Sequence, residues 1–209
     1  MDRKFAIAGA LLGWFAIIMQ WYLSNSIRIL SLPEFFLRFI GYFTITTNIL
    51  AALTFTMYAF SSSSRLGRWL RQPDSIFAIT VFIIIVGIVY NTILRFLWQP
   101  TGLQWLVDEL LHTIQPLLFF LFWYLFIPKQ VLTVKRFLSW LIYPAVYMLY
   151  IGILGVFTGH YPYPFADVGQ LGYYRALLNG ASVVLASIVI AWLLIILTRR
   201  VGFLSKERR

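Results

Sequence analysis

The sequence predicts an all-α integral membrane protein, a single domain of six transmembrane helices with both termini on the cytoplasmic side. Three observations carry this. Hydrophobic residues fill 61% of the 209 positions, charged residues only 11%, and mean hydropathy is +0.82, too little charge to cover a soluble domain of this length. Six apolar segments, near 5–23, 37–60, 76–97, 109–127, 139–158 and 174–198, are each long enough to cross a hydrocarbon core of about 30 Å. The basic residues alternate between dense and sparse joints along the chain, as topology signals do.

The elements follow in order. The first segment begins after Asp2-Arg3-Lys4 and has no small-residue cleavage site at the right distance, so a retained helix is expected rather than a signal peptide. Polar joints separate the rest: Ser24-Asn25-Ser26 to Glu34, then Ser61 to Asp74 with a serine run and three arginines. Gln99-Pro100-Thr101-Gly102, Pro128 to Arg136, and Gly159 to Gly172 with two prolines complete the set. These are the turn and breaker residues that short connections between antiparallel helices require. Aromatic residues reach 19%, matching rings that anchor helices at both interfaces.

Orientation follows from the lysines and arginines. One side holds 13 of the 17: Arg3, Lys4, Arg65, Arg68, Arg71, Lys129, Lys135, Arg136, Arg199, Arg200, Lys206, Arg208 and Arg209. The other holds Arg28, Arg38, Arg95 and Arg175. The rich side is cytoplasmic by the positive-inside rule. A net charge of +10 raises nucleic-acid binding, but no soluble stretch is long enough for a binding module, and the charges sit in short loops. Contacts to anionic membrane lipids account for them better. The absence of cysteine excludes disulfides, cysteine metal sites and thiol nucleophiles.

Polar side chains at membrane depth are costly and so point to function. Thr44 and Asn48 lie one turn apart on the second segment, and Asn91 and Arg95 on the third. Asp108, His112 and Gln115 share a stripe at the fourth, with Glu109 beside them, and Arg175 and Asn179 repeat the spacing on the sixth. All four stripes fall in the outer-leaflet half. A common polar pocket is the economical arrangement; interhelical hydrogen-bond glue and arginines snorkelling to water are the bland one.

His112 is flanked by two carboxylates that can fix its tautomer. A mixed metal site of His112, His160, Asp108 and Asp167 is a weaker option, and neither metal nor cofactor is expected. No nucleophile elbow, phosphate loop or His-Glu-x-x-His motif occurs. A nucleophile would have to be a hydroxyl, with Thr44, Thr46 and Thr47 at membrane depth and His112 as the base such a hydroxyl needs.

Phe43-Thr44-Ile45, Leu111-His112-Thr113 with a nearby proline, Thr158-Gly159, and Tyr163-Pro164-Phe165 with Asp167 together resemble the androgen-induced/FAR-17a family of six-helix membrane threonine hydrolases. The chain is also similar to the adjacent bacterial Pr-six-Pr membrane family. The resemblance spans the second to fifth segments. It implies Thr44 as nucleophile, His112 as general base, and fatty acid esters of hydroxy fatty acids as substrates. The run Thr46-Thr47-Asn48 departs from the family pattern and makes Thr47 a rival nucleophile.

The expected activity is therefore intramembrane hydrolysis of lipid esters. Asp108 or Glu109 would orient His112, Asn48 or Asn91 would donate to the oxyanion, and Arg95 or Arg175 would hold a substrate carboxylate. Two other classes compete. A small transporter or proton-coupled carrier would need polar groups reaching the cytoplasmic side, and the inner halves carry almost none. A non-catalytic scaffold needs none of this chemistry.

Overall fold

The computed structural model describes residues 2–97, 99–129 and 133–206, and these are almost entirely helical. In order they form α1 (Asp2–Ser26), α2 (Leu32–Ile40), α3 (Phe43–Ala59), α4 (Arg65–Leu70) and α5 (Pro73–Thr92), which ends in the 3-10 turn Leu94–Phe96. Then come α6 (Gly102–Glu109), a π turn (Leu110–Ile114), α7 (Gln115–Phe126), α8 (Val134–Leu138) and the 3-10 turn Ser139–Leu141. Last are α9 (Ile142–Thr158), the 3-10 turn Pro164–Ala166 and α10 (Val168–Lys206). Five stretches are long and apolar enough to cross a membrane, or six if the bent pair α2–α3 counts as one span. The protein is a multi-pass membrane protein.

The second segment is broken where an unbroken helix over 37–60 was expected. α2 meets α3 at 76°. Gly41 caps α2, and Tyr42 is extended, with φ −82° and ψ 122°, so a new helix starts at Phe43. Phe35 and Phe39 of α2 are buried against Trp21 of α1, with ring centroids 4.7 and 5.0 Å apart. Burying those rings holds α2 across the end of the bundle and leaves Thr44 at the second position of a helix N-terminus.

Other boundaries moved too. The fourth span begins at Gly102 rather than 109, because Gln104 and Asp108 share one face of its amphipathic first two turns, which average hydropathy discounts. Gly102 has φ +57°, a conformation glycine adopts without strain. The third span's α-helix stops at Thr92 rather than running to 97, and the fifth stretch is helical from Val134.

α5 is the central helix. Its apolar window is 61% buried, against 22–39% for the other four spans. Phe77, Phe82, Phe119, Phe122 and Trp123 fill the core around it. α1 packs along α3 on a stripe of small residues (Ala6, Gly9, Ala10, Gly13, Ala16), the device by which membrane helices approach closely. A Cβ on Gly9 would lie 2.6 Å from the Phe55 ring, so the close approach needs glycine there.

Leu11, Ile18, Leu117, Leu125, Leu149, Val156, Leu177 and Leu185 are exposed on the outer surface. A soluble protein would not tolerate so large an apolar exterior; lipid covers it. Asp2 bonds Tyr58 at 3.5 Å, Asp74 pairs with Arg136 at 3.2 Å, and Gln104 bonds Gln20 at 2.8 Å. The helix ends thus sort into an arginine-rich end and an arginine-poor end.

Candidate functional site

The site is built on two interruptions of regular helix. One is the break before α3. The other is the π turn, where the Gln115 N–H donates to the Leu110 carbonyl five residues back. Single π turns inside α-helices occur often at functional sites. Two carbonyls lose their α-helical partners here: Leu111 because Gln115 is committed elsewhere, and His112 because Pro116 has no N–H. Asn48 Nδ2 donates to the Leu111 carbonyl at 3.1 Å, and Asn91 Nδ2 to the His112 carbonyl at 3.3 Å. Gly87 lets α5 come close, since a Cβ there would stand 3.1 Å from that His112 oxygen.

Within this frame the His112 Nδ1 lies 2.9 Å from the backbone carbonyl of Asp108. A carbonyl only accepts, so Nδ1 carries the proton and Nε2 is left as an acceptor. Nε2 faces Thr44 Oγ1 at 3.3 Å. On the other side of the threonine stands the Tyr163 hydroxyl, 3.3 Å from both the Thr44 N–H and Thr44 Oγ1. The N–H can only donate to it, and because the unprotonated Nε2 accepts the threonine proton, the phenol donates its own to Oγ1. The threonine proton is thereby turned toward His112. Burial pushes the Tyr163 phenol up to about 12, so it remains a donor at any ordinary pH.

In the sequence Tyr163 is one residue of a loop motif, yet it completes this chain of hydroxyls. Its ring stacks on Phe165 at 5.0 Å, and Asn179 Nδ2 pins that loop by donating to the Phe165 carbonyl at 2.8 Å. Asn179 therefore acts on the loop rather than on Thr44 directly. Tyr90 stacks on the His112 ring with centroids 3.8 Å apart, and its hydroxyl donates to Asp108 Oδ2 at 3.3 Å.

The remaining expected residues sit elsewhere. The carboxylates of Asp108 and Glu109 do not bond the imidazole: Asp108 is held by Tyr90 and by Gln104 at 2.8 Å, and Glu109 pairs with Arg95 at 2.5 Å. The donor groups of Asn48 and Asn91 are spent on backbone carbonyls, so neither is placed to stabilise an oxyanion. Arg95 also bonds Asn91 Oδ1 at 3.0 Å and lies over the Tyr90 ring, an occupied cation rather than a substrate clamp. Gln115 is turned away by the extra residue of the π turn and donates to the Gly9 carbonyl at 3.2 Å. Arg175 is exposed on α10.

Thr46 and Thr47 both bond the Tyr143 hydroxyl at 2.9 Å, away from His112. His160 sits half-buried in the loop after α9, where burial and the nearby Arg38 hold it below the usual histidine range. Among the described residues no three of the histidines and carboxylates gather as a metal site, so His112, His160, Asp108 and Asp167 do not form one.

Thr44 opens onto a narrow apolar cavity of about 70 Å³ between α5, α9 and α10. Its walls include Val86, Pro144, Met148, Ile151 and Val183, with Tyr163 at the threonine end. Neither protein-family models, curated proteins nor solved structures match this chain.

Proposed function

We propose that the protein is an intramembrane hydrolase of lipid esters with Thr44 as nucleophile and His112 as general base. The observation that carries this reading is the chain Tyr163 hydroxyl, Thr44 Oγ1, His112 Nε2, with Nδ1 held by the Asp108 carbonyl. A hydroxyl needs such a base to become nucleophilic, and an orienting partner on the far nitrogen completes the set. Separations of 3.3 Å are at the loose end for these contacts, as is usual before substrate binds.

Thr44 Oγ1 attacks the ester carbonyl and passes its proton to His112 Nε2. Tyr163 donates to the oxyanion that forms. His112 then protonates the departing alkoxide, giving the free alcohol and an acyl-threonine. Water, deprotonated by the same nitrogen, attacks the acyl-threonine, and His112 returns that proton to the departing Thr44 oxygen as the carboxylic acid is released. The apolar cavity beside Thr44 takes the first carbons of an acyl chain whose remainder lies in the lipid between α9 and α10. By the resemblance of its motifs, the substrates are fatty acid esters of hydroxy fatty acids.

The arrangement belongs to the outer-leaflet half of a cell-membrane protein with six spans and cytoplasmic termini. Thr44 lies at the arginine-poor end, which the positive-inside rule puts outside. A cysteine placed at Ser63 should resist an impermeant label in intact cells; labelling there would invert this topology. A carrier would need a path across the bundle. Phe43 in the wall of this cavity packs on Phe82 and Tyr143, with ring centroids 5.1–6.2 Å apart among the three, and these rings stand across such a path.

The test is turnover of a long-chain ester by the purified protein in nanodiscs, with covalent capture by a lipid fluorophosphonate. Thr44→Ala should abolish both, and His112→Ala should nearly do so. Full turnover by a folded Thr44→Ala protein, with loss on Thr47→Ala, would reassign the nucleophile. Turnover untouched by either change ends the hydrolase reading.

A further inference from the structure

The arginine-rich end holds a second cavity, unconnected with the hydrolase reading. It measures about 740 Å³, within the range of roughly 300–1,000 Å³ typical of small-molecule sites. Its walls are Ile49 and Leu50 of α3, Ile79 and Phe82 of α5, and Ile142 of α9. Asp74 at the start of α5 and Arg136 in α8 stand at its mouth. Asp74 and Phe82 are eight residues apart, so the cavity reaches about 12 Å into the bundle from that end.

The cavity has a charged mouth and an apolar interior, and the charge has a sign. Arg136 and Asp74 are the charged residues of its lining, and the short flanking segments at that end, 65–72 and 134–138, add Arg65, Arg68, Arg71 and Lys135 to the surrounding bundle end and no further acid. Arg136 bonds Asp74 through one nitrogen, Nη1, at 3.2 Å, and its side chain is 52% exposed. The guanidinium fork therefore has N–H groups open to a second oxyanion. Trp69 and Trp140 stack at 4.9 Å in the cavity wall at the same end, where aromatic rings mark the membrane interface.

We infer that this cavity binds a phospholipid with an anionic headgroup from the leaflet at the arginine-rich end. The phosphate lies against Arg136, and one acyl chain lies along Leu50, Ile79 and Phe82. An ordinary annular lipid has no reason to prefer a negative headgroup. A soluble anion has no use for 12 Å of apolar wall.

The test is native mass spectrometry of the full chain released from detergent containing equal phosphatidylglycerol and phosphatidylcholine of matched chains. One phosphatidylglycerol should be retained per protein in preference to phosphatidylcholine. Arg136→Gln should lower that retention about five- to tenfold, from the loss of one interfacial cation and its phosphate contact. Arg136→Lys should keep most of it. Ile142→Trp, at a position 65% exposed and so tolerant of a larger ring, should lower it by obstructing the chain.

Equal retention of both lipids, or retention unmoved by Arg136→Gln, reduces the cavity to a place for annular lipid and overturns the proposal. Loss on Ile142→Trp alone assigns an uncharged chain as the occupant and overturns the headgroup. Displacement by inorganic phosphate assigns a soluble anion instead. A thermal melt of each variant separates lost binding from lost folding.

Discussion

Asn48 offers the sharpest test of how the site is held. Its side chain is fully buried, and Nδ2 donates to the Thr44 carbonyl at 2.9 Å and the Leu111 carbonyl at 3.1 Å. Two buried hydrogen bonds contribute about 1 kcal/mol each. Asn48→Leu removes both and strands the Leu111 carbonyl, at a cost of about 1–3 kcal/mol. Part of this is returned, because Asn48 Oδ1 is itself buried without a partner. The net expectation is a loss of about 2 kcal/mol.

Asn48→Asp keeps the shape but turns the two attractions into oxygen–oxygen repulsions and adds an unpaired buried charge, about 3–5 kcal/mol when ionised. Reversible unfolding in mixed micelles should therefore rank wild type above Asn48→Leu, and Asn48→Leu above Asn48→Asp. An Asn48→Asp protein as stable as wild type would show that the amide does not brace the π turn. The account of His112's placement would fall with it.

Tyr163→Phe should lower kcat about a hundredfold with little change in KM, the usual effect of removing one oxyanion donor. Because burial holds the phenol near 12, wild-type rates should show no falling limb from Tyr163 below about pH 11; a limb near pH 9 that vanishes in Tyr163→Phe would refute the donor role. Gly9→Leu must displace the buried Phe55 ring, only 2.6 Å from where its Cβ would go, and should cost about 2–3 kcal/mol in the same unfolding assay; a neutral result would mean that α1 is not packed on α3 as described. Arg95→Gln breaks the pair with Glu109, whose partly exposed arginine limits the loss to about 0–1 kcal/mol, and should leave the ratio of kcat/KM between acidic and neutral esters unchanged. A selective loss on acidic esters would restore Arg95 as a substrate clamp.

Much of the bundle was legible because its physics is one-dimensional. Hydropathy locates membrane-length helices, and lysines and arginines sort the joints between them. The stripe spacing placed Thr44 and His112 at matching depth on different helices, and they lie within hydrogen-bond distance. What escaped depends on departures from regular periodicity. An unbroken helical period puts Gln115 on the His112 stripe, and the π turn disrupts that period. An apolar average over 37–60 runs through Gly41 and Tyr42, because it passes over a single glycine. Tyr163 sits on a loop, 119 residues from the threonine it meets, and no periodicity links the two.

The two departures from helix explain why the polar residues are distributed as they are. A helix that restarts at Phe43 puts Thr44 where its N–H has no intrahelical acceptor, so that amide is free to meet Tyr163. A π turn beside Pro116 presents His112 toward α3 but leaves two carbonyls without their α-helical donors. The asparagines of α3 and α5 lie opposite those carbonyls, each also donating to the carbonyl one turn back on its own helix. Read as catalytic donors, Asn48 and Asn91 would compete with Tyr163 for one oxyanion. Read as braces, they supply what the distorted backbone lacks, and the threonine and histidine are left with the reactive contact.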